Sequence, residues 1–224
     1  MKIGILGTGN MGTLLTEALI DSNAVSPSSV FITNRTISKA QDIQKIYSEV
    51  VVVNNAIMLA KQADLIIVCV KPVNMFEVFQ QMAPYLTMDQ CVVSITSPIS
   101  VEQLESVLPC STARAIPSIT NRAFAGVSLL SFGEKCDPRW KKALTELFEH
   151  ISTPISIDED ITRVASDIVS CGPAFFSYLT RRFINAAVSE TKIDQETATK
   201  LASEMLIGLG ELLRKEFYTL PSLQ

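Results

Sequence analysis

"GILGTGNMG", residues 4–12, reads as the end of an apolar strand, a glycine-rich turn and the opening of a helix. "KIGILG" is a short buried strand. Behind the turn, Met11, Leu14, Leu15, Ala18 and Leu19 recur at helical spacing. "SSVFITNR" then supplies a second strand, so the glycines sit at the first turn of a βαβ unit. In that setting each glycine has a task. Gly7 allows the tight turn, Gly9 lets the backbone approach a pyrophosphate, and Gly12 permits close helix–strand packing. The turn from Thr8 through Asn10 and Met11 brings helix-start N–H groups to face the phosphates. The stretch is predicted to bind a dinucleotide.

The rest of the first two-thirds repeats strand and helix. "TISKAQDIQKIY" is a helix that Thr36 or Ser38 is placed to cap. "EVVVV" is a strand and "NNAIMLAKQA" a short helix. The run Leu65–Val70 that follows is apolar at every position. A strand without alternation is covered on both faces, as in a parallel sheet between helices. Further helices ("NMFEVFQQMAPYL", "SVEQLESVL", "PRWKKALTELFEH") alternate with strands ("QCVVSIT", "TARAIP", "AGVSLLSF", "STPISI"). This order predicts an α/β, Rossmann-type doubly wound sheet. After Ile157 no strand-like stretch remains, and two or three helices of period 3.6 follow. The expected division is a nucleotide-binding domain over 1–157 and an all-helical C-terminal domain over 158–224, with no internal repeat.

The end of the second strand selects the cofactor. An NAD site places Asp or Glu there for the ribose 2′-OH. This sequence has Thr33, Asn34, Arg35 and Thr36, with no acid. A guanidinium pairs with a 2′-phosphate and Thr36 can donate to it, which favours NADPH (NADP) over NAD. The other reading of Arg35 is a solvated loop charge. Ligands in open α/β sheets bind outside the carboxyl ends of the strands. Asn55, Val70, Lys71, Pro72 and Thr96 join the cofactor-binding candidates on that ground. Ser94, Ser97, Pro117, Ser118 and Thr120 also fall at strand ends. Lys71 either orients the nicotinamide region or belongs to a Lys-Pro turn that fixes the next helix.

Composition narrows the function classes. The 224 residues are 47% hydrophobic with a net charge of −4, so nucleic acid is not an expected partner. Five scattered cysteines, none spaced CxxC, read as free thiols of a cytoplasmic protein. No signal peptide is expected, since glycines interrupt the few apolar residues after Lys2. No apolar run approaches the ~20 residues of a membrane span. His150 is the only histidine and ends a surface helix, which leaves no basis for a His-rich metal site.

The stretches "GILGTGNMG", "ITNRT", "CVKP", "SIT", "ARAIP" and "SCGPAFFSYL" come in the order and at about the spacing of pyrroline-5-carboxylate reductases. The sequence resembles that family, and most closely its late-competence-associated branch. The resemblance implies NAD(P)H-dependent reduction of the cyclic imine 1-pyrroline-5-carboxylate to L-proline. It also implies a Rossmann domain followed by an intertwined helical dimer. Hydride transfer to a protonated imine needs no nucleophile; a proton donor near the ring nitrogen would help. Lys71, Ser118, Thr120 and Cys171 are the catalytic candidates, none singled out.

Departures from the family pattern bear on the substrate half. Arg114-Ala115-Ile116-Pro117 is followed by Ser118-Ile119-Thr120 where the family has Asn-Thr-Pro. Ser170-Cys171-Gly172-Pro173-Ala174 replaces Gly-Ser-Gly-Pro-Ala. The family's Pro-Gly-Gly-Thr substrate loop lies beyond "TLPSLQ", which implies a truncated sequence or an incomplete substrate site. A nucleotide-binding regulatory protein without catalysis is therefore a rival reading. A β-hydroxyacid dehydrogenase ranks lower, because "GPAFFSYLTRRFINAA" has no lysine for its acid–base work.

The C-terminal helices also predict assembly. Phe175, Phe176, Leu179, Phe183, Leu201 and Met205 belong to a wider apolar surface than two or three helices can bury alone. Gly208 and Gly210 each cost ~1 kcal/mol within a helix, which close approach by another helix would offset. A homodimer or higher homo-oligomer through residues 160–218 is expected. The alternative is packing wholly against the first domain.

Overall fold

The computed structural model describes residues 1–223. It divides into two compact units, Met1–Cys171 and the remainder from Gly172. The first unit opens with β1 (Ile3–Leu6), α1 (Asn10–Asp21), β2 (Val30–Thr33), α2 (Ile37–Ile46), β3 (Val51–Val52) and α3 (Ala56–Gln62). It continues with β4 (Leu65–Val68), α4 (Pro72–Met82), β5 (Cys91–Ser94), α5 (Val101–Glu105) and β6 (Ser111–Ile116). After β7 (Val127–Phe132), α6 (Pro138–Glu149) and β8 (Thr153–Ser156), it ends in α7 (Thr162–Ser166) and a π-helical turn, Asp167–Cys171.

The eight strands form one sheet in the order β3-β2-β1-β4-β5-β6-β7-β8. Strand order reverses beside β1, as a doubly wound sheet requires. β1 through β6 run parallel, and β7 is antiparallel to β6. The reason is local: a single 3₁₀ turn, Ile119–Ala123, joins β6 to β7. A parallel return would need a crossover of a dozen or more residues. α6 provides such a crossover, so β8 lies parallel to β7.

Each central strand divides its side chains between two cores. Ile3, Ile5, Ile32, Leu65, Ile67 and Val93 pack with α1, α2 and α6. Leu6, Phe31, Ile66, Val68 and Val92 pack with α3, α4 and α5. β4, the strand read as apolar throughout, is fully buried.

Two expectations are corrected. β3 spans only two of the expected "EVVVV" residues, because it is an edge strand paired with Phe31 and Ile32 of β2 alone. Thr36 holds the N-cap position of α2, but its hydroxyl makes no capping bond. The first compact unit runs to Cys171. Residues 158–171 stay with the sheet because the buried Arg114 of β6 donates to Glu159 and Thr162.

The second unit is a helical hairpin of α8 (Gly172–Glu190) and α9 (Gln195–Arg214). Asp194 caps α9, its carboxylate accepting from the Thr197 N–H at 2.8 Å. Its own core is small: Ile184, Ala198 and Ala202, with Val188 and Ile193 against them. Phe175, Phe176, Leu179, Phe183, Leu201 and Met205 are exposed in the single chain.

Candidate dinucleotide site

At the carboxyl end of β1 the chain must turn sharply and leave room for its neighbours. Gly7 takes a φ of +99°, a region L side chains rarely adopt. A Cβ there would sit 2.7 Å from the Cys69 carbonyl oxygen. The turn is tied to the adjoining strands: Gly7 N donates to Thr33 O at 2.8 Å, and Cys69 N donates to Leu6 O at 2.7 Å. Asn34 adds a brace across two loops. Its Oδ1 accepts from Thr8 N at 3.1 Å, and its Nδ2 donates to Thr36 O at 3.0 Å.

α1 opens with Gly9 at the N-cap, no side-chain cap and no acid in its first turn. Among the described residues no side-chain carboxylate or hydroxyl satisfies its first N–H groups, and the positive end of the helix dipole is left for a ligand. A Cβ built on Gly9 meets nothing within 4 Å. The same construction on Gly12 collides with the Gly7 carbonyl oxygen. Gly12 is thus a packing glycine, while the space beside Gly9 stands open.

That space belongs to a cavity of about 530 Å³ at the carboxyl ends of β1, β2 and β4. Of the sequence-predicted cofactor residues, Gly7, Gly9, Asn34, Arg35, Thr36, Asn55, Val70 and Lys71 line it. Thr8 and Asn10 line a neighbouring cavity of about 400 Å³ over the same turn. Met11 packs against the core. Pro72 is the first residue of α4, with Lys71 as N-cap, so the Lys-Pro turn does fix that helix while Lys71 faces the cavity. Thr96 is in neither wall; its Oγ1 is buried without a partner among the described residues, as is that of Thr8.

The main cavity's charge is mostly positive. Arg35, Lys39 and Lys71 face it against one carboxylate, Glu77. Burial pushes the Cys69 thiol in its wall up to about 12, which keeps it neutral and unreactive. Sequence reasoning missed Lys39, Asn54, Asn74, Glu77 and Gln81. Lys39 shares a helix face with Thr36 at i,i+3 spacing, the one signal that was available.

The catalytic candidates divide. Lys71 is on the cavity wall, whereas Ser118, Thr120 and Cys171 line neither cavity. Ser118 is 1% exposed, and its Oγ donates to Val169 O at 2.9 Å while accepting from Thr120 Oγ1 at 3.0 Å. Ser170 Oγ donates to Pro117 O at 2.8 Å. These bonds stitch the end of β6 to the π-helical turn that Cys171 completes.

The chain matches two family models. Residues 2–98 match "NADP oxidoreductase coenzyme F420-dependent", and residues 159–224 match "Pyrroline-5-carboxylate reductase dimerisation". It is 53% identical to ComE operon protein 4 of Bacillus subtilis (strain 168), over 100% of this chain and 82% of that one. It is 23% identical to a pyrroline-5-carboxylate reductase of Staphylococcus aureus (strain COL), over 100% of this chain and 83% of that one. The fold matches the crystal structure of Plasmodium falciparum pyrroline carboxylate reductase with NADP bound. That match has a TM-score of 0.85 at 21% identity and covers 96% of this chain and 79% of that one.

Proposed function

The chain belongs to the pyrroline-5-carboxylate reductase family, and we propose that it binds NADPH at the glycine turn and reduces a small cyclic imine, 1-pyrroline-5-carboxylate, to L-proline. The observation that carries the cofactor half is the open space beside Gly9 at an uncapped helix start, next to a cavity whose β2 end offers Arg35 and no acid. The residues present fit the group. The open space beside Gly9 would admit a pyrophosphate, to which the α1 amides would donate. Arg35 and Thr36 stand where a 2′-phosphate requires donors.

When bound, NADPH supplies a hydride, which the carbon of a protonated imine accepts with no covalent intermediate. The chain's own part is positioning and exclusion of water. The glycine turn sets the depth of the dinucleotide. Lys71, held by Pro72 at the head of α4, faces the same cavity and orients the nicotinamide end. Residues 158–224 serve assembly, as a homodimer through the exposed faces of α8 and α9. Incubation with 1-pyrroline-5-carboxylate and NADPH tests the reading. NADPH consumption with stoichiometric proline supports it, and bound NADPH with no proline contradicts the enzymatic half.

One observation favours a second reading, an NADP-binding regulatory protein without turnover. The Ser118 hydroxyl, a candidate proton donor, is buried and spent on Val169 O. The same assay separates the two.

A further inference from the structure

Two residues, Gly9 and Lys39, line both cavities over the glycine turn. Gly9 contributes an absence. Lys39 contributes a charge, and its side chain is exposed with no hydrogen bond or ion pair among the described residues. The other cation of the smaller cavity, Arg122, is already committed. Its guanidinium holds Glu17 at 3.0 Å and Asp21 at 2.9 Å. Lys39 is therefore the uncommitted cation at the junction of the two spaces.

Its place on α2 indicates which group it serves. Lys39 lies three residues after Thr36, so both project from one helix face, and its backbone N–H donates to Thr36 O at 3.1 Å. Thr36, Arg35 and Lys39 all line the main cavity. No acid lies in the first turn of α2 to neutralise them. A pyrophosphate would be served by the α1 amides, whereas a phosphomonoester beside Arg35 would carry more charge than one guanidinium balances.

We propose that Lys39 is a specificity-determining residue, a second cation that reads the 2′-phosphate of 2′-phosphorylated adenine nucleotides together with Arg35. The inference rests on the NADPH reading above and extends it to a residue outside the β2–α2 turn. Lys39 supplies a flexible point charge, and Arg35 supplies directed donors.

Adenosine 2′,5′-bisphosphate and adenosine 5′-monophosphate isolate the contact, because neither carries a nicotinamide or a pyrophosphate. Calorimetric titration of the full chain compares wild type, Lys39→Met and Lys39→Arg. Because the side chain bonds to nothing, the variants keep the fold, which circular dichroism checks. The expected result is about tenfold weaker binding of the bisphosphate to Lys39→Met, unchanged binding of the monophosphate, and near-complete rescue in Lys39→Arg. Unchanged bisphosphate affinity in Lys39→Met overturns the proposal, and so does an equal loss for both nucleotides. Wild type binding the two nucleotides equally overturns the NADPH reading itself, a separate failure visible before any variant is made.

Discussion

At the scale of single residues, two glycines of one motif do opposite work, and substitution separates them. Gly9→Val places its side chain in open space, so the protein is expected to fold with wild-type thermal stability yet lose dinucleotide binding. Gly12→Ala drives a Cβ into the Gly7 carbonyl and is expected to cost ~1–3 kcal/mol, read as a lower urea midpoint. Tyr47 offers a pH test. Burial, then the hydrogen bond its OH donates to Asp21 at 2.8 Å, raises its pKa from 10.0 to about 12. The folded state thus holds this proton more tightly than the unfolded chain. The resulting stabilisation is complete below about pH 10 and is lost as pH rises toward about 12. Tyr47→Phe should flatten the fall in unfolding midpoint across that window; an unchanged alkaline profile contradicts the assignment.

At the scale of elements, Arg114 explains why the first unit continues past its last strand. Fully buried in β6, it donates to Glu159 at 2.8 Å and 3.0 Å, to Thr162 at 2.6 Å and to Ser131 at 3.2 Å. Glu159→Ala leaves that cation with neutral partners only and should cost ~1–3 kcal/mol, with Glu159→Gln milder. Amide exchange in residues 159–171 should accelerate while that in β1 and β4 does not; uniform acceleration would contradict a local tether. This tether also marks where the sequence stopped being legible. β1, the glycine turn and β4 were readable because apolar runs and glycines act through neighbours in the chain. Arg114 and Glu159 are 45 residues apart, and their pairing leaves no periodicity. The π-helical turn 167–171 was invisible for a related reason. Its reciprocal bonds, Ser118 to Val169 and Ser170 to Pro117, belong to tertiary contact and leave no pattern in the sequence. Lys39 carries little signal in the sequence, because a lysine on an exposed helix face ordinarily marks solvent.

At the scale of the whole molecule, exposed apolar helix faces and an open glycine turn call for a partner and a cofactor. Phe176 and Phe183 are 68% and 70% exposed, and nothing lies within 4 Å of a Cβ built on Gly208 or Gly210. Apolar faces of this kind mark association surfaces. Sedimentation at micromolar concentration should show a dimer, and Phe183→Asp should weaken it at least about tenfold; a folded wild-type monomer would contradict the assembly reading. If the crevice at the glycine turn is an NADPH site, the charge at the end of β2 sets its preference. Fluorescence titration of wild type and Arg35→Ala with NADPH and NADH tests it most directly. Wild type is expected to prefer NADPH by about tenfold or more, with Arg35 supplying a charge-assisted contact of ~1.5–3 kcal/mol, and Arg35→Ala is expected to lose about tenfold of NADPH affinity while keeping its affinity for NADH. Equal affinities for the two nucleotides, unchanged in Arg35→Ala, would contradict it.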